Sequence, residues 1–219
     1  MRVTVDRRRF GGHRSVQGRG RLTATRGDQR HRAGFLRLCG MTVLHSVHTA
    51  DLSPSDRSRI RDLLDDAFGG RFDDHDWEHA LGGLHILISV DGTLIAHGSV
   101  VRRQFLHQGR SVRCGYVEAV AVHPAHRRRG FGSAVMTEAE RLIDHGYALG
   151  GLSASASAVD LYRGRGWRRW PGGTAVLGPA GVTPTPGDDD STLLRLVPGG
   201  TPLSVTDPVV CDWRDGDVW

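Results

Sequence analysis

The run Val117-Glu-Ala-Val-Ala-Val-His-Pro-Ala-His-Arg-Arg-Arg-Gly-Phe-Gly-Ser133 constrains the fold of this chain more than any other stretch: an apolar strand, a basic glycine-containing loop, then a helix beginning near Gly130. Backbone N–H groups in the first turn of a helix lack partners within it and sit at its positive end, so this junction suits a diphosphate. Gly130 and Gly132 leave room for phosphate oxygens, and Arg127, Arg128 and Arg129 add charge. The spacing from Arg127 to Gly132 is Arg-x-x-Gly-x-Gly. It is not a Walker A loop, because no Gly-Lys-Ser/Thr follows, nor a dinucleotide fingerprint, because the first glycine is missing. An ordinary strand-to-helix turn with a solvated arginine run would look similar, so the loop alone does not decide.

Charge separates the chain into two parts. The formal net charge is +5, yet residues 1–40 hold eleven Arg against Asp6 and Asp28, a balance of +9, which leaves −4 for residues 41–219. An acidic domain that also owns a basic diphosphate loop is expected to keep two sites, one for an anionic cofactor and one for a cationic substrate. Residues 1–40 show no hydrophobic periodicity and few apolar residues, so they are expected to be a disordered arm. Arg7-Arg8-Arg9-Phe10 has no apolar run behind it, so an export signal is not expected. An Arg/Gly-rich arm suits nucleic acid, but the abrupt onset of structure signals at Thr42 favours Met41 as the true start of translation, with no nucleic-acid partner. No stretch approaches the length of a membrane span. Three scattered cysteines, Cys39, Cys114 and Cys211, offer no disulfide framework and fit a reducing cytoplasm.

From Met41 onward the turn residues punctuate the chain clearly, and 219 residues are enough for one domain, placed at 41–219, with a real core. Thr42 to His48 alternates like a strand, and Ser53-Pro54 caps a helix that Gly69-Gly70 stops. A shorter helix is expected from about Asp73 to Leu81. Three strands follow, His85 to Val90, Thr93 to His107 and Ser111 to Val122, joined by Asp91-Gly92 and Gln108-Gly109 turns. Next come the motif helix (Gly130 to Asp144), a strand (Ala148 to Ser153), a helix (Ser157 to Arg163) and closing strands near Arg168 to Val176 and Thr192 to Val197.

Arg127 to Gly132 resembles the acyl-CoA loop of the GCN5-related N-acetyltransferases (GNATs), and the order of elements resembles their fold. A second segment, Ala158-Val-Asp-Leu-Tyr-Arg-Gly-Arg-Gly-Trp167, is similar to that superfamily's Ala-x-x-Leu-Tyr-x-x-x-Gly-Phe/Trp signature. The fold class implied is α/β (α+β), a mixed and mostly antiparallel central sheet with helices on both faces. The resemblance then narrows. Val47-His-Thr-Ala-Asp-Leu52, Asp76-Trp-Glu-His79, Leu81-Gly-Gly83, Arg113-Cys-Gly-Tyr-Val-Glu118 and Cys211-Asp-Trp-Arg-Asp-Gly-Asp-Val-Trp219 look like the actinobacterial aminoglycoside 2'-N-acetyltransferases. That family moves acetyl from acetyl-CoA to the 2'-amino group of antibiotics of the gentamicin and kanamycin types, which confers resistance, and its members suggest a homodimer. All 29 basic residues are Arg, a composition consistent with a GC-rich genome.

Amine attack on a thioester needs a neutral amine, a stabilised oxyanion and a proton for the departing thiolate. The resemblance implies Glu118 as general base acting through water, Tyr162 as proton donor to the thiolate, and Ser153 as a weaker candidate for steering it. An unperturbed phenol pKa of about 10 keeps Tyr162 protonated at neutral pH. Alternation along Tyr116 to Val122 predicts that residues 116, 118, 120 and 122 share one face. The Val120 N–H is expected to bond the thioester carbonyl, and the main chain to Val122 to run beside the pantetheine arm, with Phe131 and Ser133 completing the loop that holds the diphosphate.

The acceptor side is expected to carry carboxylates, because aminoglycosides bring several ammonium groups. Asp76, Asp188, Asp217 and Trp219, through its free carboxylate, match positions the family is expected to use. Arg71 and Gly187 stand where relatives carry acids, which bears on substrate range rather than on the reaction. The tail from Asp215 is expected to fold back as a wall of the acceptor pocket. His75 and His79 lie four apart, but no HExxH or third ligand accompanies them, and no metal is expected. Two other function classes fit parts of the chain: a GNAT acting on a cell-wall or metabolite amino sugar, and a non-catalytic binding protein with a nucleic-acid-binding arm.

Overall fold

The structure, a computed structural model, describes residues 41–156, 158–200 and 202–219. The arm expected at residues 1–40 lies outside them, as does Ser157, the expected start of a helix. In chain order the elements are β1 (Thr42–His48), α1 (Pro54–Phe68), α2 (Asp74–Ala80), β2 (Leu84–Val90), β3 (Thr93–His107), β4 (Arg110–Val122), α3 (Phe131–Gly146), β5 (Leu149–Ser153), α4 (Val159–Arg163), β6 (Arg168–Arg169), β7 (Thr174–Gly178), β8 (Gly181–Pro184), β9 (Thr192–Leu196) and β10 (Val209–Asp212).

Local chemistry sets the helix ends. The Ser53 side chain accepts the Asp56 N–H, Pro54 occupies the first turn, and Gly69 ends α1 with φ 63°, a left-handed conformation that glycine adopts without strain. At α2, Asp73 and Asp76 exchange side-chain and backbone bonds in a capping box. Among the described residues ten strands form one sheet in the order β6-β9-β5-β4-β3-β10-β7-β8, with β2 and then β1 also built along β3. Its pairings are antiparallel except β4 with β5 and β10 with β7, the mixed α/β arrangement expected. Successive residues of β2 take opposite sides: Ile86 and Ile88 join Val135, Met136 and Ile143 of α3, while Leu87 joins Ile60 and Leu64 of α1. Helices therefore cover both faces.

Two departures from the expected elements have local causes. The strand expected from Arg168 to Val176 is broken into β6 and β7, because Pro171 has no N–H to give a ladder and Gly172 lies against the backbone of Asp207. A Cβ at Gly172 would sit 2.1 Å from the Asp207 carbonyl oxygen. β8 and β10 were not anticipated. β10 enters between β3 and β7, where Val209 and Cys211 are buried.

A third departure shapes the site. The register between β3 and β4 shifts between His97↔Ala121 and Ser99↔Glu118, so Ala119 and Val120 together oppose Gly98. This is a β-bulge, and Ala119 carries it in a left-handed conformation with φ 51°. Alternation therefore fails, and Glu118 and Val120 do not share a face as expected. Val120 and Val122 pack with Val117 and α3, whereas Ala119 and Ala121 pack with α1 and Glu118 points to the side of Tyr116. β4 and β5 pair only from Cys114↔Leu149 to Tyr116↔Gly151 and then part. The wedge between them opens at the bulge.

Candidate active site

In that wedge lies a cavity of about 250 Å³ lined by Val117, Glu118, Ala119 and Val120 of β4, Leu152 and Ser153 of β5 and Tyr162 of α4. Phe68, Phe72, Asp76 and His79 wall it from α1 and α2, and Arg214, Asp217 and Trp219 from the tail. Glu118 and Arg214, 96 positions apart in sequence, thus meet in one space, and seven of the expected site residues line it. Asp188 does not: it lies on a short turn at Pro186–Asp188 outside the cavity wall, near enough to Asp217 for the two carboxyls to repel.

Glu118 is largely buried and accepts a hydrogen bond of 2.5 Å from Arg214 Nη1. Burial raises its pKa above the ordinary glutamate value, and the Arg214 guanidinium pulls against that rise. Arg214 also donates from Nε to the Asp217 carbonyl and from Nη2 to Trp219 O, so one side chain ties the base to the tail. Sequence reasoning missed Arg214, although a carboxylate expected deep in a strand demands a counter-cation and this is the one Arg in an acidic tail. His75 and His79 hold the tail as well. His79 Nε2–H donates to the Asp215 carbonyl at 2.7 Å, and Gly216 packs on the His75 side chain. Arg61 sets α2 in place by bonding Asp65, Asp74 and the Phe72 carbonyl.

Tyr162 is 7% exposed, and burial pushes its pKa up to about 12, so the phenol keeps its proton at neutral pH. Ser153 ends β5 with its side chain exposed at the cavity. Asp76 lines the cavity, and its Oδ2 accepts the Asp73 N–H in the capping box of α2.

Beside the cavity, Gly130 caps α3 with φ 85° and no side-chain cap, and the first helical bond runs from Ala134 N–H to the Gly130 carbonyl. The N–H groups of Phe131, Gly132 and Ser133 therefore precede the helix ladder and stay available to an anion. The Phe131 side chain is buried in the core, so its part here is its backbone. Arg127 departs from expectation: its guanidinium donates to the carbonyls of Val122 and Ala67, which staples the loop to the end of α1 rather than reaching out for phosphate. Arg128, at φ 64°, and Arg129 remain the exposed cations of the loop. Gly130→Ala is expected to raise the acetyl-CoA KM severalfold, because an L-residue pays about 1–2 kcal/mol for left-handed backbone. Gly132→Ala is expected to be nearly silent, since a Cβ there meets Val122 and Leu161 at 3.7 and 4.0 Å. Isothermal titration of acetyl-CoA into both variants checks the pair, and equal losses would refute it.

Behind the bulge, His85 and His97 are both fully buried and bonded to each other at 2.9 Å. Burial, then Arg57 and His48, hold His85 down to about 4; burial, then His85, hold His97 down to about 3. An unfolded imidazole takes a proton near its reference value of 6.5, so between that pH and about 4 the unfolded chain binds more protons. The stability these residues contribute is thus present above pH 6.5 and drains away as pH falls. Thermal midpoints are expected to drop steadily on acidification through that window, with a shallower slope in His97→Asn; parallel slopes would contradict this.

Residues 48–170 match the acetyltransferase (GNAT) domain model. The chain is 49% identical over 182 residues to the aminoglycoside 2'-N-acetyltransferase of Mycolicibacterium fortuitum, covering 81% of this chain and 93% of that protein. Among solved structures, the Escherichia coli GNAT protein YhbS, crystallised with CoA, superposes with a TM-score of 0.58 at 16% identity, over 80% of this chain and 91% of that one. Escherichia coli ElaA superposes at 0.50 with 18% identity, over 71% of this chain and 99% of that one. The sheet that parts at a bulge, the open helix start beside it and the sequence matches agree, and the chain belongs to the GNAT acetyltransferases, in the family of the aminoglycoside 2'-N-acetyltransferases.

Proposed function

We propose that this chain transfers the acetyl group of acetyl-CoA to the 2'-amino group of an aminoglycoside by direct attack of the amine on the thioester. The observation that carries the reading is the single cavity that gathers a buried carboxylate, a bulged N–H and a buried phenol, rimmed by Asp76 and Asp217. The Phe131–Ser133 N–H groups and Arg128 would take the diphosphate, and the wedge between β4 and β5 would admit the pantetheine arm. The Val120 N–H would face the acetyl oxygen as it gains negative charge. Glu118, through a water, would take one proton from the ammonium and so free the amine to attack; the nitrogen would lose its second proton to solvent as the N–C bond forms and the C–S bond breaks. Tyr162 would give its proton to the departing thiolate and regain one from solvent. Asp76 and Asp217 would hold the substrate's other ammonium groups, with Ser153 at the thiol end. The family resemblance extends the reading to a homodimer in the cytoplasm. No helix among the described residues is long and apolar enough to cross a membrane.

Thiol release from acetyl-CoA tests the assignment. Tobramycin, which has a 2'-amine, is expected to be turned over at least tenfold faster than kanamycin A, which has a 2'-hydroxyl, because the latter offers no amine at that carbon. Equal rates would overturn the regiochemistry.

A further inference from the structure

A line of hydrogen bonds crosses the interior from the turn after β1 to the bulge of β4. Thr49 Oγ1 lies 2.8 Å from His85 Nε2, His85 Nδ1 lies 2.9 Å from His97 Nε2, and His97 Nδ1 lies 2.8 Å from the carbonyl oxygen of Ala119. The last link fixes the sense of all the others. A carbonyl oxygen only accepts, so His97 Nδ1 carries the hydrogen, and a neutral imidazole has no second one. His97 Nε2 must then accept from His85 Nδ1–H, and His85 Nε2 from the Thr49 hydroxyl, whose one hydrogen goes to this nearer partner rather than to the Gly83 carbonyl at 3.1 Å, which already accepts the Thr49 N–H. The Thr49 oxygen in turn accepts the Gly82 N–H at 2.9 Å. Every donor meets an acceptor with both rings neutral, as two fully buried imidazoles require.

The carbonyl at the end of this line belongs to the same peptide group as the Val120 N–H. In a planar trans peptide the two point in opposite directions. Whatever grips the Ala119 oxygen on the interior side therefore aims the Val120 hydrogen away from it, and both residues line the cavity. The grip is needed because Ala119 sits at φ 51° without being glycine, a conformation that surrounding structure must enforce. A bond to the oxygen also polarises the amide and strengthens its N–H as a donor.

We propose that His97, held in its tautomer by His85 and Thr49, is a positioning residue for acetyl transfer, which orients the bulged peptide so that the Val120 N–H meets the acetyl oxygen. The inference rests on the reading of that N–H as the oxyanion donor. His97→Leu removes the grip at similar volume. Losing an oxyanion-hole donor outright lowers kcat by about 10²–10³-fold, so loosening one is expected to lower it roughly tenfold or more. Affinity for CoA, which has no acetyl oxygen, should stay within about twofold of the parent. His97→Asn, whose amide N–H can reach the same carbonyl, should recover most of the lost kcat. Long-range 15N–1H correlation spectra of the parent should show both His85 and His97 protonated on Nδ1 only.

A proton on Nε2 of His97, a His97→Leu kcat within twofold of the parent, or CoA affinity falling in step with kcat while His97→Asn recovers nothing, would each overturn the proposal. If His97→Leu does not fold, the tautomers and His97→Asn decide. A parent protein that transfers no acetyl to tobramycin would instead sink the reading of the acceptor, and the tautomer and CoA measurements would still judge the role of His97.

Discussion

Glu118→Gln is expected to lower kcat/KM for acetyl transfer by about 10²-fold or more at neutral pH, the lower bound of what a positioned general base contributes. The substitution keeps the shape of the side chain and an oxygen that can still accept from Arg214 Nη1, so the loop of tail residues should stay in place. What disappears is the group that takes the proton. The acid limb of the parent's pH profile should lie above the ordinary glutamate range, because burial raises Glu118 more than Arg214 lowers it. Sign follows from the role: the carboxylate is the working form, so the rate falls as pH drops through that raised value, and in the Gln variant the limb should vanish. At high pH, where free amine is abundant, recovery should be partial. A profile with the same limb in both proteins would exclude Glu118 as the base. A separate and smaller stability loss is expected, since the part-buried Arg214 keeps a hydrogen bond but loses its charged partner. Kinetics and melts on one preparation keep the two effects apart.

Trp219→Ala is expected to give the largest loss of stability, about 3–5 kcal/mol for a buried tryptophan. At roughly 2–4 °C per kcal/mol for a chain of this size, the thermal midpoint should fall by about 6–20 °C. The reason is packing. Trp219 is 2% exposed, stands edge-on to Phe105 at 5.3 Å and donates its indole N–H to Thr185 Oγ1 at 2.8 Å. Arg103, itself buried, adds bonds to Asp212 and to the Val218 carbonyl. Because the same tail brings Arg214 and Asp217 to the cavity, the aminoglycoside KM should rise along with the loss of stability. A midpoint within 2 °C of the parent would mean that the tail does not dock as described. The charges of residues 215–219 led the sequence reading to a pocket wall; that the same residues close the core was hidden, because two exposed acids on either side of a glycine resemble a solvated tail.

How much was legible follows from where each signal was written. Glycine pairs, Asp-Gly turns and the Ser53-Pro54 cap are local, and they placed β1 to β4 and α1 to α3 within two residues of their ends. The bulge was not legible, since an alanine forced into a left-handed conformation leaves no mark in the sequence; seven of the residues named from the sequence line the cavity, yet Glu118 and Val120 do not share the face that alternation predicted. β10 was missed for a different reason. It is paired by β3 and β7, whose nearest partners lie 35 or more positions earlier, and no local pattern announces such a strand. Asp188 matched by resemblance yet sits off the cavity, because Pro186 turns the chain just before it.

β10 has one more consequence, in the order in which the protein can be built. It follows every other described strand in sequence, yet it lies between β3 and β7 and pairs parallel with β7. On a ribosome, α3 and the wedge between β4 and β5 are complete before Val209 is synthesised, whereas β7 and β8 have no inner partner until it arrives. The cofactor half of the site can therefore mature early and the acceptor half only at the end. Pulsed hydrogen exchange during refolding is expected to find the amides of β4 and α3 protected before those of β7 and β10. An enzyme assembled in this order would gain its acetyl donor before it gains the means to choose what receives the acetyl group.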